Sequence, residues 1–159
     1  MRLDKFTEPQ RATLVLCHPN ANGTGCAARM SVVPATCYNE GALKVLLARQ
    51  GSNSSFDWDD ALEVNLDFDD VSKMLEVLRG MTESINEEKG IYAKAATLCA
   101  IFKFRHVVEP VNGYCMEIHS SDDNVKSQAV MFLSPSEAMG LSIAVENSMS
   151  AIAFGIWRW

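Results

Sequence analysis

At two points along this chain the apolar pattern switches from period two to helical spacing at a capping residue. This switch constrains the fold more than any other feature. Residues 61–66, ALEVNL, alternate, with Leu62, Val64 and Leu66 on one side and Ala61, Glu63 and Asn65 on the other. That is the pattern of a half-buried strand. From Phe68 the spacing is helical: Phe68, Val71, Leu75 and Leu78 form a stripe with Met74 beside it. Asp67 predicts an N-cap, and Asp69 and Asp70 fall in the first turn, where the helix dipole favours acids. Gly80 either ends this helix or lies in a bend of a longer one. The same event recurs near residue 134. SQAVMFL (127–133) predicts a strand, and Ser134-Pro135-Ser136-Glu137 is a capping box with proline at the first helical position. A helix to about Ser150 follows, burying Ala138, Leu141, Val145 and Met149. LEVNLDFDDVSKMLEVL (62–78) and AVMFLSPSEAMGLSIAV (129–145) thus carry strand, cap, early acid and apolar stripe in one order, about 70 residues apart. An α+β sandwich without duplication is the simpler alternative.

Other strands precede each switch. Residues 11–17 (RATLVLC) end at His18-Pro19-Asn20, and 26–33 (CAARMSVV) end at Pro34. Residues 42–49 (ALKVLLAR) form a third strand, followed by the polar loop 50–60, which carries two aromatics. Residues 82–94 read as a connector. Then come a long strand over 96–108, an Asn112-Gly113 hairpin turn, a return over 114–120 with Tyr114, Met116 and Ile118 on one face, and a turn at Asp122-Asp123-Asn124. The tail FGIWRW is aromatic. The expected fold class is α+β: two antiparallel sheets each followed by a helix, as a tandem four-strand-plus-helix pseudo-repeat. Residues 1–159 make one domain, with pseudo-repeats 11–81 and 95–155. A chain of 159 residues suits that arrangement.

Five cysteines at wide spacing, with no CxxC, predict reduced and mostly buried thiols in a cytosolic-type compartment. Cys17 and His18 are strand neighbours and point to opposite faces, so they are not a catalytic pair. No metal-ligand pattern, phosphate loop or other catalytic constellation occurs. The expectation is a non-enzyme without cofactor or metal. No apolar run reaches the roughly 18 residues of a membrane span, and the N-terminus lacks a signal-peptide core, so a cytoplasmic protein is expected. The formal net charge of −6 argues at first against a polyanion partner. That charge is local. Residues 57–70 hold seven acids and no base, whereas 94–106 hold three bases and no acid.

Four segments resemble, in order, the Whirly family of single-stranded-DNA-binding proteins. GTGCAARMSVVPA (23–35) is similar to its KGKAAL-type strand, with Thr24 and Cys26 where that family has lysines. FDWDDALEVNLDFDDVSKML (56–75) resembles its aromatic-Asp-Trp segment leading into strand and helix. FKFRHVVEPVNGYCMEIHS (102–120) and FLSPSEAMGLSIAVENSMSAIAFGIW (132–157) resemble its paired strands and final strand-helix. The resemblance implies a homotetramer with helices at its centre and sheets radiating outward, binding single-stranded DNA, or RNA, largely without regard to sequence.

The residues themselves support that chemistry, because unpaired bases stack on aromatic groups and phosphates need cations along the path. Lys103 and Arg105 alternate with Phe102 and Phe104, either as a backbone-contacting track or as an ordinary strand with a wet face. Arg29, Lys44 and Arg49 would complete a track on the first sheet. Tyr38 and Tyr114 stand at turns or strand starts, where rings are partly exposed. Phe56 and Trp58 are either base-stacking groups or plugs at the sheet–helix junction, with the plug preferred. The competing function is an acidic oligomeric module on the same fold that binds protein and not nucleic acid.

Overall fold

The computed structural model describes residues 13–95, 98–122 and 124–156. Outside these fall the expected strand residues 11–12 and 96–97, Asp123 of the predicted turn and the end of the aromatic tail. Two four-stranded antiparallel sheets are each followed by a helix. Sheet 1 has the order β1 (Thr13–His18), β2 (Cys26–Val33), β3 (Ala42–Arg49) and β4 (Leu62–Leu66), and α1 (Phe68–Leu78) follows. Sheet 2 has β5 (Ile91–Ala95), β6 (Leu98–Val107), β7 (Gly113–Asp122) and β8 (Val125–Leu133), and α2 (Pro135–Phe154) follows. Consecutive strands are neighbours throughout, so each sheet is a meander that needs no crossover.

Both helix starts form as their residues require. Asp67 accepts from the Asp70 N–H at 2.9 Å, and the Asp70 carboxylate accepts from the Asp67 N–H at 3.2 Å. Ser134 and Glu137 make the same reciprocal pair at 3.2 and 3.1 Å. Each box satisfies two amide donors that would otherwise lack partners. Gly80 ends α1: its φ of +71° suits glycine, and the next N–H, of Met81, donates to Glu76 at 2.9 Å. Helix α2 runs on to Phe154 and stops at Gly155.

One apolar core joins the halves. Val45, Leu47, Val64 and Leu66 of sheet 1 share it with Phe102, Phe104, Met116 and Met131 of sheet 2. Val71, Met74 and Val77 enter it from α1, and Leu141, Val145 and Ile152 from α2. Helix α1 packs against β6 of the other half, and α2 against β2, so each helix seals the opposite sheet as well as its own. Arg79 at the end of α1 pairs with Glu146 of α2 at 2.6 Å, and His18 of β1 pairs with Glu137 of α2 at the same distance.

Several expectations are corrected. The connector 82–94 contains β5, because Ile91 enters the core opposite Phe102. Residues 83–85 also lie along β6: the His106 N–H donates to Glu83 and the Ile85 N–H to Phe104. The polar stretch 86–90 that hid this edge is an excursion, with Asn86, Glu87, Glu88 and Gly90 all at positive φ. Phe68 is exposed, since the buried stripe of α1 runs through Val71, Met74 and Val77. The thiols are not mostly buried: Cys17, Cys37 and Cys99 are exposed, and only Cys26 and Cys115 are buried, where burial pushes each thiol up to about 11.

Candidate nucleic-acid interface

Every strand sends alternate side chains to the core and to an outer face that neither helix covers. On sheet 1 the register aligns Val15, Arg29, Leu46 and Glu63 in one outer row, and Thr13, Ser31, Lys44 and Asn65 in the next. On sheet 2 the rows are Arg105, Cys115 and Phe132; Lys103, Glu117 and Val130; and Tyr92, Ile101, His119 and Gln128. Cations lie on both outer faces, and on sheet 2 rings lie among them.

Arg29 and Lys44 lie on the outer face of sheet 1, one row apart. The Arg29 guanidinium sits 4.1 Å from the centre of the Trp58 ring. Trp58 is half-buried against the outer face by this contact and is not at the sheet–helix junction, so the preferred plug reading is corrected for it. A guanidinium over an indole face is held by the ring quadrupole and stays planar to a phosphate or a base on its other side. Phe56 pairs through its backbone with Gln50 and closes the same loop.

Arg49 is corrected. It has the parity of Val45 and Leu47, the core-facing side of β3, and at the strand end its guanidinium is bound by Asp60 at 2.8 Å. It therefore does not extend the Arg29–Lys44 track. Phe102 is also corrected: its ring is fully buried, stacked 6.4 Å from Phe104, and presents no face to a base. Tyr114 shares that inner side. Its ring stacks on Phe104 at 5.7 Å and tilts against His106 at 5.1 Å. Tyr38 is on neither face. It lies 90% exposed in the β2–β3 loop and lines a cleft with Phe68 and Phe154 at the end of α2. Lys103 and Arg105 do lie together on the outer face of sheet 2, two residues apart on β6.

The sequence reading missed what stands beside these cations. Glu117 is directly cross-strand from Lys103, and its carboxylate accepts from His119 Nε2 at 2.7 Å, Arg105 at 3.4 Å and the Cys115 thiol at 3.4 Å. Burial alone pushes this carboxyl up. The hydrogen bonds from His119, Cys115 and Arg105 and the charge of His119 outweigh it, leaving the group below the usual glutamate value and ionised. Lys44 is likewise paired with Glu63 at 3.2 Å. The missed rings are Tyr92 on the edge strand β5, His119 on β7 and Phe132 on β8. Their signal was alternation with core residues, readable for Phe132 between Met131 and Leu133 but hidden for Tyr92 by the polar connector.

Among the described residues, no group of three or more His, Cys, Asp or Glu converges as a metal site, and no helix is long and apolar enough to cross a membrane.

The arrangement is Whirly-like: two meander sheets, each followed by a helix, around one core. In solved structures it is similar to the Whirly protein WHY1 from Arabidopsis thaliana, with a TM-score of 0.69 at 14% identity over 93% of this chain and 89% of that one. It is similar to the plant transcriptional regulator PBF-2, with a TM-score of 0.69 at 12% identity over 91% and 84% of the two chains. A guide-RNA-binding protein complex bound to a guide RNA gives 0.63 at 13% identity over 98% and 100%. No family model matches the sequence. No curated protein matches it either.

Proposed function

We propose that this protein binds single-stranded nucleic acid, DNA foremost, along the outer faces of its sheets and largely without regard to sequence. The observation that carries the proposal is the pair of uncovered faces on which cations and rings are interleaved: Arg29, Lys44 and Trp58 on one, Lys103, Arg105, Tyr92 and Phe132 on the other. A single strand offers both partners at once, phosphates to the cations and bare base faces to the rings, whereas a duplex hides the second. The Whirly-like fold supports the reading, since the solved structures that share it include one bound to a guide RNA. We further propose a homotetramer. Met139 and Ile143, one helical turn apart on α2, are exposed, and an apolar strip of this kind is covered when helices meet at an oligomer centre. No step of this reading uses a catalytic group, a cofactor or a metal.

Titration of labelled single-stranded DNA, duplex DNA and single-stranded RNA at two salt concentrations, with light scattering for the assembly mass, tests it. Binding to single strands that weakens with salt is expected; no binding at low salt refutes it.

The pairing of Lys44 with Glu63 and of Arg105 with Glu117 favours one competing reading, an acidic oligomeric module that binds protein. Changing Lys103 and Arg105 together to Glu separates the two. The double variant loses single strands under the first reading, and under the second it still captures the protein partner.

A further inference from the structure

Sheet 1 ends at β1, and no residue of that strand is buried. Among the described residues it pairs with β2 on one side and leaves its other edge open. An open edge presents backbone N–H and C=O groups to any strand of matching pattern, and sheets guard such edges with charged residues, proline or a bulge. The other outer strands carry charged residues: Glu63 on β4, Lys94 on β5 and Lys126 on β8. The β1 sequence, TLVLCH, holds no acid, lysine, arginine or proline, and Glu137 of α2 holds its His18. Its apolar side chains lack cover on both faces. Leu14 lies on the core side, opposite Met30, yet is 36% exposed; Val15 lies on the outer side, opposite Arg29, and is 46% exposed.

We infer that this edge docks the β1 edge of a second copy, antiparallel about a two-fold axis at Val15. Leu14-Val15-Leu16 reads the same in both directions. With Val15 opposite its own counterpart, Leu14 falls opposite Leu16 of the second copy on the core side, and Leu16 opposite Leu14. Each Leu14 is then covered, the two valines form a β-branched cross-strand pair on the outer side, and no charge is enclosed. An axis one place on, at Leu16, would set each Leu14 opposite His18, whose ring Glu137 holds. The pairing is separate from the α2 contact proposed above and does not rest on it. It also makes the outer faces of two sheets one surface. Arg29 and Val15 share a row, and that row continues into Val15 and Arg29 of the second copy. The two arginines then stand roughly 14 Å apart at the backbone, three inter-strand spacings. A nucleic acid strand on this face meets cations from both copies.

An edge of six residues is small beside a standard interface of roughly 1,600 Å², so the association should rise with concentration. Light scattering across a wide concentration range reads it. Val15→Lys sets two ammonium groups face to face at the axis and should lower the mass reached at the highest concentration about 2-fold, whereas Val15→Thr, still β-branched, should preserve it. Cross-linking reads the register. With the exposed Cys17, Cys37 and Cys99 changed to Ser, Val15→Cys should give a disulfide-linked dimer on mild oxidation. Directly opposed Cα atoms lie about 4.5–5.5 Å apart, within disulfide reach. Leu14→Cys in the same background should not link, because its own counterpart is a diagonal neighbour about 7–8 Å away. Thermal melts at low concentration, unchanged for these exposed positions, establish that each variant is folded. A mass that Val15→Lys leaves unaltered, or linkage as ready at Leu14 as at Val15, overturns the pairing and leaves the single-strand reading and the α2 contact standing. A wild type that is monomeric at every concentration overturns the pairing and the homotetramer together.

Discussion

Replacement of Glu117 by Gln should strengthen binding to single strands while weakening the fold. Glu117 is central on the outer face of sheet 2, its side chain only 15% exposed, and it holds Arg105 and His119 at 3.4 and 2.7 Å. Lys103, Arg105 and Glu117 sum to one positive charge. Glutamine keeps the shape and an acceptor for Arg105 but raises the sum to two. One more phosphate is then neutralised. For single strands each such contact steepens the fall of log K with log salt by about 0.7. Referred to a salt concentration of about 1 M, that is a gain of roughly 8-fold at 50 mM and roughly 3-fold at 200 mM. The fold loses charge-assisted hydrogen bonds in a partly buried site, a cost of about 1 kcal/mol. Fluorescence anisotropy with a labelled 20-mer across four salt concentrations reads the affinity and the slope, and urea unfolding reads the stability. Equal or weaker binding with an unchanged slope would refute the reasoning. It would mean that Glu117 orients Arg105 for its contact and does not compete with phosphate.

Three other outcomes are expected. Phe102→Ala should cost about 3–5 kcal/mol of stability, because the ring is fully buried in the core shared by both sheets; a cost under 1 kcal/mol in urea unfolding would place the ring elsewhere. Gly41→Ala should destabilise clearly, since a Cβ there would lie 2.1 Å from the Ile152 carbonyl oxygen; an unchanged melting temperature contradicts the close approach of the β2–β3 loop to α2. Stability should also decline as the pH falls below about 4.5, the ordinary glutamate value. Burial pushes the Glu137 carboxyl up, but the Ser134 N–H, His18 and the Ser134 hydroxyl together hold it below that value. A folded-state value below the unfolded one gives stability that is present above the unfolded value and is lost as the carboxyl protonates. Glu137→Gln should therefore flatten the acid limb of a melting-temperature profile, and an unaltered limb contradicts the assignment.

Local chemistry made much of the fold legible in the sequence. The cap residues Asp67 and Ser134, with Asp70 and Glu137 three positions on, mark helix starts because those interactions lie within one turn. Strand β4 follows from alternation, since period two needs no knowledge of the partner strand, and β2 and β3 follow from apolar runs, β2 ended by Pro34 and β3 by a polar loop. The β5 edge was not legible. Its neighbours 86–90 are polar and turn-like, and only pairing with β6 shows that the chain resumes the same edge.

The site divides in the same way. That Lys103 and Arg105 share a face is a property of strand parity, and the sequence alone determines it. Which face that is, toward core or solvent, depends on where the helices pack. The same parity rule therefore sends Phe102 inward, where it is fully buried. Three further features depend on register between strands: the carboxylate of Glu117 opposite Lys103, the guanidinium of Arg29 over Trp58, and the row from Tyr92 to Gln128. These residues are far apart along the chain, and a shift of one residue in pairing would put each on the opposite face, so the tertiary structure alone decided them.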